Sequence, residues 1–85
     1  QGENTSSIVN RIRQEAKRWF HNAARIGNSD AMFQLAMMYQ EDLADDQKSA
    51  KAAAWYRRQV VELSRRAAEL GHKEAKQWIT THESN

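Results

Sequence analysis

From about Ser6 to Ile26 the apolar residues Ile8, Val9, Ile12, Ala16, Trp19, Phe20, Ala23 and Ile26 recur at helical spacing. At ~100° per residue they gather on one side, with Gln14, Lys17, Arg18, His21, Asn22 and Arg25 opposite, so the segment predicts an amphipathic helix. Gly27 stands where a left-handed residue closes a helix, and Asn28 or Ser29 is placed to cap the next one ahead of Asp30. That second helix, about Asp30 to Leu43, carries Ala31, Leu35, Tyr39 and Leu43 on one face and Phe33 with Met37 on nearly the opposite one. Apolar residues on two sides predict a helix lying between two neighbours. From about Asp46 to Leu70 the stripe Ala52, Trp55, Tyr56, Val60, Leu63, Ala67 and Leu70 predicts one long third helix of ~36 Å. Gly71 ends it. A short fourth helix, about Lys73 to Thr80, brings Ala75, Trp78 and Ile79 to the end of the stack. Residues 1–6 are expected to be a flexible lead and residues 82–85 a frayed tail.

One phrase in this pattern occurs twice. Ala23-Ala24-Arg25-Ile26-Gly27 followed by Ala31 returns as Ala67-Ala68-Glu69-Leu70-Gly71 followed by Ala75, with the two glycines 44 positions apart. A period of 20 to 50 residues is the sequence mark of stacked helix pairs. The expected fold is all-α: a short α-solenoid of antiparallel helix pairs, with about four helices and a long third one.

Composition narrows the chemistry. At 85 residues the chain has room for a single domain over 1–85, near the size where one core is only marginally sufficient. It contains no proline and three glycines, which favours helices throughout. The absence of cysteine removes disulfides, thiolate metal sites and a cysteine nucleophile. A formal charge of +2 from 13 basic and 11 acidic side chains is too balanced to imply nucleic acid by itself. No apolar run approaches the length of a membrane span. Because the chain opens on Gln1, it reads as a mature form after cleavage or as an excised domain.

With the spacing on the page, a resemblance emerges. Ala16, Trp19, Phe20, Ala23, Ala24, Gly27, Ala31, Leu35 and Tyr39 follow, without a gap, the order of Sel1-like repeats, relatives of the tetratricopeptide repeats. Phe20 replaces the family's tyrosine and Ala36 its second glycine, and Lys51, Ala52, Trp55 and Tyr56 restart the unit. The likeness spans roughly Glu15 to Ile79. It departs between Tyr56 and Ala67, where seven extra residues add about two helical turns and keep the face in register. The resemblance implies a bacterial scaffold that binds other proteins without chemistry of its own. Its exported members suggest a periplasmic location. Tetratricopeptide identity is the alternative within the fold, at a usual period of about 34 residues.

Phe33 and Met37, with Gln34, Gln40 and Glu41 beside them, are the candidate partner-binding residues, because the family's second helices line the concave side and methionine adapts to variable partners. The other reading packs Phe33 and Met37 on the fourth helix. Ala54, Val61 and Ala68 recur every seven residues and suit self-association, or equally contact within the chain. Arg11, Arg18 and Arg25 form a basic row that suits nucleic acid or an anionic membrane, while Glu15 lies within reach of Arg11 and Arg18 and makes the row an ordinary solvated face. Arg57, Arg58, Arg65 and Arg66, interleaved with Glu62 and Glu69, read as an ion-pair ladder. The aromatics Trp19, Phe20, Trp55, Tyr56 and Trp78 are expected in the core.

Glu41, Asp42, Asp45 and Asp46 lack the spacing of a calcium loop and are read as helix-capping charges. His21, His72 and His82 share no metal-ligand spacing, and no nucleophile or phosphate-loop motif is present. No cofactor, no metal and no enzymatic activity are expected. The functional expectation is a protein-interaction module that binds a protein or peptide, with a homo-oligomer through the third helix as one of the two readings of its small-residue stripe. The alternative is a basic-surface module on nucleic acid or anionic membrane.

Overall fold

A computed structural model describes residues 5–44 and 49–83. They form four helices, α1 (Thr5–Arg25), α2 (Ser29–Leu43), α3 (Ala50–Glu69) and α4 (Lys73–Glu83), with no strand among the described residues. The all-helical expectation holds. Sequence neighbours pack on each other, α1 on α2, α2 on α3 and α3 on α4, so α2 lies between two helices as its two-sided apolar pattern requires. α3 runs unbroken from Ala50 to Glu69 and, at 20 residues, is ~30 Å long.

Both tight turns are closed by glycine in the left-handed region, Gly27 at φ 97° and Gly71 at φ 96°, where a side chain would be strained. In each, a doubled hydrogen bond satisfies the helix's last carbonyls. Gly27 N donates to Ala24 O at 3.0 Å and Asn28 N to Ala23 O at 3.1 Å; Gly71 N donates to Ala68 O at 2.9 Å and His72 N to Ala67 O at 3.0 Å. The duplicated phrase is therefore a duplicated turn.

The core is built where the small residues allow close approach. Ala24, Ala31, Met32, Phe33, Leu35, Ala36, Leu63, Ala67 and Ala75 are buried together, with Phe20, Ala23, Met37, Tyr39, Ala68 and Trp78 packed against them. One member of each alanine pair, Ala24 and Ala67, is buried outright.

Several expectations change. Residues 1–4 of the expected lead lie outside the described residues, whereas Thr5 and Ser6 already belong to α1. The helix α4 continues through His82 to Glu83, three residues past Thr80. One cause is local: His82 stacks on Trp78, with ring centroids 4.0 Å apart. Asp45 and Asp46, read as the start of α3, lie outside the described residues. The described cap of α3 is Ser49, whose Oγ accepts from Ala52 N at 3.1 Å.

The aromatics divide. Phe20, Tyr56 and Trp78 are half-buried, but Trp19 is 76% exposed and Trp55 43% exposed, against the expectation that all five are core. For Trp19 the reason is geometric. The apolar arc of α1 is wider than the strip a single neighbour covers, and α2 takes the side of Phe20 and Ala24.

Candidate functional site

The acidic end of α2 is where α1 is locked down. Arg13 Nη1 donates to Glu41 Oε1 at 2.6 Å, Arg13 Nη2 to Asp42 Oδ1 at 2.8 Å and to Met38 O at 3.2 Å, and Lys17 Nζ to Asp42 Oδ2 at 2.6 Å. Burial works to raise the Asp42 carboxyl, but the hydrogen bonds from Lys17 and Arg13 outweigh it and hold the group below its ordinary value. Arg13 is raised in turn, chiefly by its bond to Glu41. Lys17 also sits 5.4 Å from the centre of the Tyr39 ring. Capping is thus not the role of Glu41 and Asp42, which stand in the last turn of α2, the wrong end for a carboxylate to favour the helix dipole. They clamp the first hairpin. Lys17, expected on the solvated face, belongs to this clamp.

At the other side of α2 a groove of about 480 Å³ opens between the end of α2, the middle of α3 and α4. Leu43, Val60, Val61 and Trp78 give it an apolar lining, which Gln40, Arg57 and His82 complete. The sequence placed Leu43, Val60 and Trp78 in three separate helices for separate reasons. What joins them is the turn at Gly71, which folds α4 back so that Trp78 faces Val60 and Val61.

The expected partner-binding residues do not stay together. Phe33 is 8% exposed, in the core and against the ring of His72, the residue just ahead of α4, at 5.1 Å, which removes it from any docking surface. Met37 is half-buried against the core and Gln34 is half-buried. Gln40 is exposed and lines the groove, whereas Glu41 is exposed and engaged by Arg13. Of the small stripe on α3, Ala54 is exposed, Val61 lines the groove and Ala68 packs against the core. Arg11, Arg18 and Arg25 are exposed along α1.

No group of three or more His, Cys, Asp or Glu able to hold a metal is gathered among the described residues. Nor is any helix among them long and apolar enough to cross a membrane. Set against models of protein families, curated proteins and solved structures, the chain matches none.

Proposed function

We propose that this chain is a non-enzymatic protein-interaction module, a Sel1-like helical-repeat adaptor whose groove between α2, α3 and α4 receives a segment of a protein partner. The carrying observation is the groove itself: about 480 Å³ walled chiefly by apolar surface of Leu43, Val60, Val61 and Trp78, with Gln40, Arg57 and His82 also lining it. A few polar groups around an apolar hollow are what fixes a bound segment's orientation while burial supplies affinity. The repeated turn at Gly27 and Gly71 supports a repeat unit, and the order from Ala16 to Tyr39 supports the Sel1-like type. The surface offered to the partner is Gln40 with the α3 and α4 walls.

The test is site-specific photocrosslinking in the native source. A photoreactive residue at Gln40 is expected to capture a protein that the same residue at Gln77, exposed on the outer side of α4, does not. Equal capture at both positions overturns the assignment. Loss of capture in moderate salt, with retention on heparin, points instead to the basic-surface reading.

A further inference from the structure

The outer side of α1 carries an apolar stripe that nothing in the described chain covers. Ile8 is 41% exposed, Ile12 60% and Trp19 76%, all on one side of α1, and Ile26, in the turn that follows, is 85% exposed. Beside Trp19 and Ile26 lies a shallow groove of about 410 Å³ shared with Arg18, Asn22 and Ala23. From Ile12 to Ile26 the stripe runs ~21 Å, about four helical turns. A run of four large apolar side chains is more than the scattered exposure of an ordinary surface.

The internal repeat says what kind of surface this is. Shifted by the 44 residues that relate Gly27 to Gly71, Ile12 falls on Tyr56, Trp19 on Leu63 and Ala23 on Ala67. In the second unit those residues are covered by α2: Tyr56 meets the Tyr39 ring at 5.6 Å, and Leu63, 8% exposed, lies by Leu35 and Tyr39. The bare side of α1 is thus the counterpart of the side of α3 on which a helix is seated.

Charge identifies the occupant further. Arg11, Arg18 and Arg25 immediately precede Ile12, Trp19 and Ile26 and flank the stripe at seven-residue intervals. Arg11 is engaged within the chain, but Arg18 and Arg25 are exposed and form no ion pair among the described residues. In helix pairs such flanking positions select the partner's charge. We propose that this face docks an amphipathic helix of another protein, about four turns long, with an apolar stripe edged by Asp or Glu.

A second copy fits less well. Two α1 helices packed antiparallel set the arginine rows against each other, at several kcal/mol for close like charges. The outer side of α4 offers the polar residues Lys76, Gln77, Thr80 and Thr81, and that of α3 the exposed Arg58, Glu62, Arg65 and Glu69. This surface is distinct from the α2, α3 and α4 groove and does not depend on it.

The test uses two fluorescein-labelled, stapled helical peptides with leucine at the seam positions, one flanked by Glu and one by Lys, titrated with the full chain by anisotropy. The Glu peptide is expected to bind at least about tenfold more tightly, Trp19→Ala to weaken it at least about tenfold with unchanged circular dichroism, and Arg18→Glu with Arg25→Glu to invert the preference. Equal binding of both peptides, or binding of neither, overturns the proposal. So does sedimentation of the chain alone as a dimer that Trp19→Ala dissociates, or binding to phosphatidylglycerol vesicles in preference to the Glu peptide. Crosslinking through Gln40 is unaffected by any of these outcomes, which separates this failure from failure of the groove.

Discussion

Asn28 and His72 perform the same task with different atoms. Asn28 Oδ1 accepts the Ala31 N–H at 3.0 Å, and 44 positions on His72 Nδ1 accepts the Ala75 N–H at 3.1 Å. Each is the first residue after a left-handed glycine and each caps the helix that follows. Because Nδ1 accepts, His72 carries its proton on Nε2, which stands 3.0 Å from Asp30 Oδ1 across the hairpins. The histidine thus caps α4 and ties it to the start of α2.

Removing either cap is expected to cost about 1 kcal/mol. Asn28→Ala should lose that much in urea denaturation, and His72→Ala somewhat more because the Asp30 bond and the Phe33 ring contact go too. His72→Asn should recover most of the cap and little of the rest. If His72→Ala melts like wild type, the capping role is wrong.

The Asp42 clamp has a signed pH dependence. Its carboxyl is held below the ordinary value, so its stabilisation is complete above about pH 4 and fades as pH falls through the lower folded value. Asp42→Asn should cost ~1 kcal/mol at pH 7, since the bonds are charge-assisted but the three side chains are only half-buried and partly screened by solvent. The gap to wild type should close towards pH 2. A gap that persists unchanged in acid contradicts the clamp.

Phe33 and Trp19 make a contrasting pair. Phe33→Ala empties a core position and should cost ~3–5 kcal/mol, whereas Trp19→Ala, at 76% exposure, should stay within ~0.5 kcal/mol. Thermal melts of the two variants decide it, and similar losses at both sites would return Trp19 to the core.

Ser64 is fully buried and its Oγ has no hydrogen-bond partner among the described residues. An unsatisfied buried hydroxyl costs ~1–3 kcal/mol, so Ser64→Ala should be neutral or stabilising by up to ~1 kcal/mol. A loss above ~1 kcal/mol in the same assay would mean that the hydroxyl is bonded after all.

Much of the fold is legible because its determinants are local. Gly27, Asn28 and Gly71 act within a turn, and the stripe from Ala52 to Leu70 needs only its own periodicity. The width of coverage is not local. An apolar arc from Ile8 to Phe20 shows that α1 seeks cover, but how much of it α2 reaches depends on how closely Ala24 lets the two helices approach. The Arg13, Lys17 and Asp42 clamp joins residues 25 and 29 positions apart. One signal for it was present: in a hairpin folded at Gly27, positions nearly equidistant from that glycine face each other, as Arg13 and Asp42 do. The groove was not legible, since Val61 and Trp78 belong to different helices and the angle between those helices is set by packing.

The most direct measurement is the affinity of the protein captured through Gln40 for wild type, Val61→Glu and Arg57→Glu, with circular dichroism confirming that each variant is folded. A carboxylate at position 61 lies in the apolar groove, and one at position 57 reverses a lining charge. Binding should fall at least about tenfold for Val61→Glu and measurably for Arg57→Glu, while Gln77→Glu on the outer side of α4 leaves it unchanged. Folded Val61→Glu and Arg57→Glu variants that both bind the partner as tightly as wild type would contradict the groove as the docking site.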